Sequence, residues 1–366
     1  MNIDVAVIGG GLIGCSTAYY LAKKGMRVLV LEKDDNVGLQ ASGRNASGVR
    51  QQGRKDALPL AMESVRLWAS MGEELGCDVE YIRTGNLWVA LDENANAQFE
   101  ADLVWEHSQG LVDVRMVTAD ECRAMIPGLT DRAVAGKFCS TDGVANPMLV
   151  TPAYARAGAR FGVVFKTRTT VTGLLLTGAG VHGVTTEAGE IEANVVVNAA
   201  GPWAARFNEM AGCPTPIEPR LGQLMITERR RRIISPFSSI HDVGYFLQTK
   251  TGNIILGISS KPTDGYGMRV DYPDITLKAA LMSDALPWLK DIYLIRTISG
   301  ITEFTPDSEP YIGPVPGVAG FFTASGFSGQ GFCVGPMVGK IMAELITGGE
   351  SPISLAPFRP DRFVAR

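Results

Sequence analysis

The 366-residue sequence has three histidines, no Cys-x-x-Cys pair and no apolar run near 20 residues. His107, His182 and His241 are too few and too scattered for a multi-histidine metal site. Cys15, Cys77, Cys122, Cys139, Cys213 and Cys333 stand far apart, which argues against zinc and iron–sulfur ligand sets, so no metal is expected. Scattered thiols fit a reducing, cytoplasmic setting. Without a long apolar run no membrane-spanning helix is expected. The first apolar segment, Val5 to Ile13, has no basic leader or cleavage site and does not read as a signal peptide. A basic surplus is missing too. Lys and Arg number 34 against 38 Asp and Glu, a net charge of −4. That balance argues against nucleic acid, which requires a basic face. The one basic run, Arg229 to Arg232, reads as a solvated loop or a partner-docking patch.

What is present begins at once. Asp4 to Ile8 is a short apolar run that reads as a buried parallel strand. Gly9, Gly11 and Gly14 follow in the spacing G-x-G-x-x-G. Gly9 makes a tight turn, Gly11 lets the backbone approach a pyrophosphate, and Gly14 lets the next helix lie close on the sheet. A helix is expected from about Ile13 to Lys24, with Gly25 placed to end it. A second strand, Arg27 to Leu31, ends at Glu32, beside Lys33. An acid there accepts hydrogen bonds from ribose hydroxyls and repels a 2′-phosphate. The unit grips a dinucleotide, with the pyrophosphate at the positive helix end near Leu12 and Ile13.

The next residues favour FAD over NAD. The segment 38–50 is small, polar and flexible, suited to run beneath a long cofactor, whereas NAD-type folds proceed to another βα unit. Far downstream, 189–203 reads as a hairpin arm and a buried strand ending in Ala199-Ala200-Gly201. A strand returning so late means that another domain is inserted. Near the C-terminus, Ser325 to Gly331 packs three glycines and two serines into seven residues before a helix from about Val334 to Ile346. Such a turn exposes backbone N–H groups that can stabilise the anion developing on a reduced flavin.

Taken together, Ile8 to Gly14, Ala41 to Asn45, Asp142-Gly143 with Asn146-Pro147, Val197 to Gly201, Thr305 to Asp307 and Ser325 to Phe332 resemble the D-amino-acid oxidase superfamily, in its glycine and sarcosine oxidase branch. The resemblance spans nearly the whole chain. It implies an α/β (α+β overall) architecture, a Rossmann-like FAD-binding domain interleaved with a substrate domain on a large mixed β-sheet. It also implies hydride transfer from a C–H beside an amine nitrogen. The cofactor contacts it implies, beyond Gly9 to Gly14, Glu32 and Lys33, are Ser42, Gly43, Arg44, Asn45, Ala46, Ser47, Ala200, Gly201, Trp203, Gly326, Gly329, Gln330, Gly331 and Phe332. We expect FAD-domain segments at 1–84, 135–205 and 301–366, and substrate-domain segments at 85–134 and 206–300.

One departure matters. Many single-chain members carry Gly-Leu-Arg-Pro before the Thr-Pro-Asp segment, and its Arg grips the substrate carboxylate. Ser299 to Phe304 lacks that Arg and resembles instead the β subunits of heteromeric sarcosine oxidase, proline and hydroxyproline dehydrogenases and opine oxidase. Gly43-Arg44-Asn45 and Val49-Arg50-Gln51-Gln52 resemble those subunits as well. A carboxylate still needs a cation, and the candidates are Arg50 first, then Arg54, Arg220, Lys250 and Arg296. Tyr245 and Phe246 line a pocket or fill core. Glu303 suits a cationic substrate group. No strong general base is required, because positioning a C–H near the flavin supplies much of the catalysis. No His or Cys context matches a covalent flavin. Cys333 reads as a small core residue, so FAD is expected to be non-covalent, with a flavin mononucleotide at a partner interface as the variant the resemblance admits. Three readings follow: the catalytic β subunit of a heteromeric amine dehydrogenase that oxidises a secondary amino acid such as an opine, a proline derivative or sarcosine and passes electrons to a partner subunit; a stand-alone oxidase of the glycine/sarcosine type using O2; or a flavin-holding relay or assembly subunit.

Overall fold

A computed structural model describes residues 2–178, 180–258 and 260–364. Its first sheet has six strands in the order Tyr311–Pro314, Phe321–Ser325, Val195–Asn198, Val5–Ile8, Val28–Leu31 and Val164–Lys166. All neighbours are parallel except the first pair. The N-terminal strand lies between one neighbour 23 residues on and another that the chain reaches only at Val195, which pairs with Val5. The continuous apolar runs suit a sheet covered on both faces. Val5, Val7, Val28, Val30 and Val197 face a core built with four helices, Leu12–Lys23, Leu58–Leu75, Pro147–Arg160 and Gly331–Ile346. The alternate residues Ala6, Ile8, Leu29, Leu31 and Val196 face a second core beneath a three-stranded antiparallel sheet, Val171–Thr177, Gly180–Thr186 and Gly189–Glu192.

A nine-stranded mixed sheet takes three strands from Asn86–Ala90, Val114–Thr118 and Ala135–Cys139 and six from the stretch 218–304. Its longest pair is Glu218–Arg229 with Leu294–Phe304, antiparallel from Glu218 opposite Phe304 to Thr227 opposite Leu294. Ala135–Cys139 therefore pairs in the large sheet, and the last strand runs past residue 300.

Several boundaries differ from the expected ones for identifiable reasons. The helix between the cofactor loop and the large sheet is confined to Leu58–Leu75, because Pro59 favours a first turn and Gly76, at φ +66°, ends it left-handed. The strand Leu294–Phe304 runs on through Gly300 because cross-strand pairing persists there, so it crosses the domain boundary expected at 301. The C-terminal helix starts at Gly331, three residues early. Among the described residues no helix is long and apolar enough to cross a membrane.

Candidate active site

A cavity of about 770 Å3 opens where the C-terminal ends of Val5–Ile8 and Val195–Asn198 meet the paired strands of the large sheet. Its nucleotide end is built by the glycine turn. Gly9 has φ +103°, and a Cβ there would stand 2.5 Å from the Ala199 carbonyl oxygen. A Cβ on Gly14 would overlap the Gly9 carbonyl oxygen. Only glycine allows this turn to close under the first helix.

Glu32 is buried at the end of the second strand and braces the turn from below. Its Oε2 accepts from the Gly10 N–H at 2.7 Å and its Oε1 from the Asp34 N–H at 2.8 Å. Burial pushes its carboxyl above the usual carboxylate range, against the pull of those two bonds. Each oxygen keeps a lone pair for a ribose hydroxyl. Across the turn the Leu12 N–H donates to Ser42 Oγ at 2.9 Å. Asn45 Nδ2 donates to the Ser42 carbonyl oxygen at 2.8 Å. Arg44 donates to the Leu39 carbonyl oxygen within the loop at 2.7 Å and ties the loop to the large sheet through the Ser299 carbonyl oxygen at 3.1 Å. Lys33 Nζ lies 4.5 Å over Trp203, which stacks on Tyr266 at 4.8 Å.

The opposite wall is the C-terminal turn. Ser328 at φ +49° and Gly329 at φ +80° bend the chain into the helix Gly331–Ile346, which has no side-chain cap at its N-terminus. Its first N–H groups are left for a ligand beside Gly329, Gly331 and Phe332.

Of the residues singled out from the sequence, Gly9, Gly11, Leu12, Ile13, Glu32, Lys33, Ser42, Arg44, Asn45, Ala46, Ala200, Gly201, Trp203, Gly329, Gly331 and Phe332 line this one cavity. Arg50, Arg54, Arg220, Tyr245 and Glu303 line it too. Gly14, Gly43, Ser47, Gly326 and Gln330 are not among the lining residues. Arg296 does not belong to the site. It is exposed on the half of its strand that lies beyond the core, and the buried half begins only at Ser299. Lys250 is exposed in a turn, and Phe246 is fully buried core. Thr169, Arg206, Gln223 and Thr302 line the cavity without having been singled out. Thr169 arrives because the edge strand Val164–Lys166 pairs beside Glu32, and its N–H donates to the Glu32 carbonyl oxygen at 2.8 Å. Gln223 is an alternating polar residue in mid-strand, and nothing in the sequence separates it from other strand residues.

The charges at the substrate end are uneven. Arg50 lies with its guanidinium 4.8 Å from the Phe237 ring, and its Nε is buried without a partner. Arg54 is 9% exposed, and its Nε is also orphaned. Burial, then the charge on Arg50, lower Arg54 to about 10, so it remains a cation at neutral pH. Tyr245 stacks on Phe237 at 5.8 Å, and burial raises its hydroxyl above the usual tyrosine value. Glu303 is 7% exposed, and burial pushes its carboxyl up to about 7. No histidine or cysteine lines the cavity among the described residues. Cys333 is buried and donates from Sγ to the Arg50 carbonyl oxygen at 3.2 Å.

A glycine-turn dinucleotide cradle that opens into a pocket with cations, a buried acid and an aromatic pair defines a two-sheet flavoenzyme of the amine-oxidising type. Residues 4–345 match the family described as DAO, FAD dependent oxidoreductase, and the chain belongs to that family. It is 30% identical over 406 residues to the hydrogen cyanide synthase subunit HcnC of Pseudomonas aeruginosa, covering 98% of this chain and 96% of that protein. It is 28% identical over 380 residues to glycine oxidase of Geobacillus kaustophilus, covering 99% and 98%. Among solved structures, L-proline dehydrogenase from P. horikoshii superposes with a TM-score of 0.93 at 33% identity, covering 99% and 98%. The chain is an FAD-dependent oxidoreductase of amino acids or amines, in the glycine and sarcosine oxidase branch. The glycine cradle, the buried acid with free lone pairs and the uncapped helix end fit FAD.

Proposed function

We propose that the chain is the catalytic subunit of a heteromeric dehydrogenase that oxidises the C–N bond of a secondary amino acid. The observation that carries this is the pair of cavity-facing guanidiniums, Arg50 and Arg54, in place of the arginine missing from Ser299 to Phe304. Bound FAD supplies the hydride acceptor. The protein's part is to seat the substrate. Arg50 takes the carboxylate, since a carboxylate enters a buried site only when paired. Phe237 and Tyr245 cover the apolar side and exclude water. Glu303, titrating near neutrality, holds or receives the proton of the substrate amine. The residues near Gly201 and Gly331 hold the cofactor without a covalent bond. We assign the nucleotide role to the six-stranded sheet and its helices and the substrate role to the nine-stranded sheet.

The heteromeric reading is supported by the relative named as a subunit and by the form of Ser299 to Phe304. A stand-alone oxidase that uses O2 is favoured instead by full-length similarity to glycine oxidase. The native preparation distinguishes them. We expect a yellow protein that co-purifies with another polypeptide and whose flavin is bleached anaerobically by a secondary amino acid such as proline or sarcosine. A lone chain turning over rapidly with O2 supports the oxidase. A loaded flavin that no amine bleaches removes the catalytic reading and leaves the relay or assembly role.

A further inference from the structure

The basic run Arg229 to Arg232 takes no part in lining the cavity. It leaves the strand Glu218–Arg229 at its C-terminal end, whereas Gly222 and Thr302, which do line the cavity, lie toward the opposite end of the same strand pair. From Gly222 to Arg229 is roughly 20 Å of extended chain. Three segments are fastened together at this far rim. The Arg230 N–H donates to the Gly252 carbonyl oxygen at 3.0 Å, and Gln248 Nε2 to the Arg231 carbonyl oxygen at 3.1 Å. These bonds hold the run against the turn that carries Lys250. Gly252, at φ +91°, approaches so closely that a Cβ would overlap the Arg230 carbonyl oxygen. Arg230 Nη2 donates to the Asp291 carbonyl oxygen at 2.8 Å, and the Glu228 N–H to the Tyr293 carbonyl oxygen at 2.9 Å. Lys290 and the start of Leu294–Phe304 are thereby drawn to the same place.

Across 228–233, 249–252 and 290–296, seven cations stand against two acids, a net +5 in a chain of net −4. Arg230 pairs with Glu228 at 2.7 Å, and the other six cations make no ion pair among the described residues. Bare apolar side chains stand among these charges. Tyr293 is 77% exposed and Ile295 61%, with Leu294 and Ile233 also exposed. Leu294, Ile295 and Arg296 are three successive exposed residues of one strand. Strand side chains point to the two faces in turn, so neither face is covered here. The outer edge is bare as well, since among the described strands the one partner of Leu294–Phe304 is Glu218–Arg229.

The occupant of such a rim must bring negative charge and close around apolar side chains on both faces. A second copy docked through the same patch sets like charge against like. A duplex nucleic acid offers phosphates but nothing apolar for Leu294 and Ile295. A folded polypeptide laid on one face leaves the other in water. An anionic bilayer meets both needs. Its phosphates receive guanidiniums in bidentate pairs, and the boundary between headgroups and acyl chains surrounds the rim. Tyr293 suits the headgroup level. We propose that this rim is a peripheral docking surface for an anionic membrane. Arg229 to Arg232 and Lys250 meet headgroup phosphates there, and Leu294 and Ile295 enter the interfacial layer. Docking leaves the cavity lining untouched and is independent of which amine is oxidised.

Sedimentation with sucrose-loaded vesicles tests this on the FAD-loaded chain with any co-purifying subunit. Vesicles of phosphatidylcholine with about 30% phosphatidylglycerol should bind about tenfold more tightly, or better, than phosphatidylcholine alone. Raising the salt from about 0.1 M to about 0.5 M should remove most of that difference by screening. Arg231→Glu with Arg232→Glu should weaken binding to the anionic vesicles by about tenfold, and Arg231→Lys with Arg232→Lys should keep most of it. Leu294→Ser with Ile295→Ser should weaken it several-fold and leave the salt dependence in place. All four positions are exposed, and flavin absorbance with the melting temperature reports whether each variant is folded. Equal binding to both vesicle types, or none, overturns the docking surface. So does anionic binding that survives the two Arg→Glu changes, or that is undiminished by the two Ser changes. If those Arg→Glu changes release a co-purifying subunit while vesicle binding stays unchanged, the occupant is an acidic polypeptide and the membrane is overturned.

Discussion

Glu303 lies in the buried half of its strand, where pairing with Pro219 fixes the backbone and the cavity takes the side chain. Burial lifts it from an ordinary 4.5 to about 7. An acid whose native pKa lies above its unfolded value binds its proton more tightly in the folded chain. Its ionisation therefore costs stability that begins to be lost near pH 4.5 and is fully lost above about 7. Replacement by Gln removes that cost. We expect Glu303→Gln to stabilise the flavin-free chain at pH 8 by on the order of 2–3 kcal/mol, and to change little at pH 4. Urea unfolding at the two pH values checks this, and equal effects at both would contradict it. The same residue shows how far sequence reaches at this scale. Glu303 was legible as a site candidate from its place in a known motif, but its raised pKa comes from packing by residues distant in the chain. Arg296, seven positions earlier on the same strand, was not separable from it by pattern. Only the depth to which the strand is covered distinguishes them.

At the scale of elements, the first and last helices meet through small residues. A Cβ on Gly335 would come within 2.8 Å of Leu12, and one on Gly339 would overlap Ser16. Ser16 Oγ uses the proximity to donate to the Gly335 carbonyl oxygen at 2.9 Å. Both helices direct their N-termini at the cavity, so this contact sets how the two halves of the nucleotide grip face one another. We expect Gly339→Ala to destabilise the protein by about 1–3 kcal/mol, the usual cost of forcing extra carbon into a packed contact. The purified variant should also carry a reduced flavin-to-protein absorbance ratio. A variant with full flavin and unchanged melting would refute the role of the contact. The strand–turn–helix–strand opening was readable because each step has local chemistry, from β-branched run to glycine turn to terminal acid. The helix at the other end was readable only as a helix, because its partner lies more than 300 residues upstream.

At the scale of the molecule, two sheets share one cavity, and the loop between Arg50 and Arg54 is fastened to the larger sheet by the Glu106–Lys137 pair. Lys137→Met leaves Glu106 as a buried, unpaired charge and is expected to cost about 3–5 kcal/mol. Adding Glu106→Gln restores an uncharged acceptor for the Gly53 N–H and should recover most of that loss. Chemical denaturation of the three proteins measures this, and a double variant no more stable than the single one contradicts it. The two-sheet architecture was legible from the late return of Val195–Asn198, but the course of Ala135–Cys139 was not. Its apolar residues suit either sheet, and only long-range pairing assigns them.

The six-stranded sheet draws its strands from near residues 5, 28, 164, 195, 311 and 321. The glycine turn is synthesised more than 300 residues before the opposing helix Gly331–Ile346, so a growing chain exposes half a grip for the whole of that interval. Flavin capture is therefore expected to wait for that helix, and removing Gly331–Ile346 should cost the cofactor although the entire N-terminal fingerprint survives.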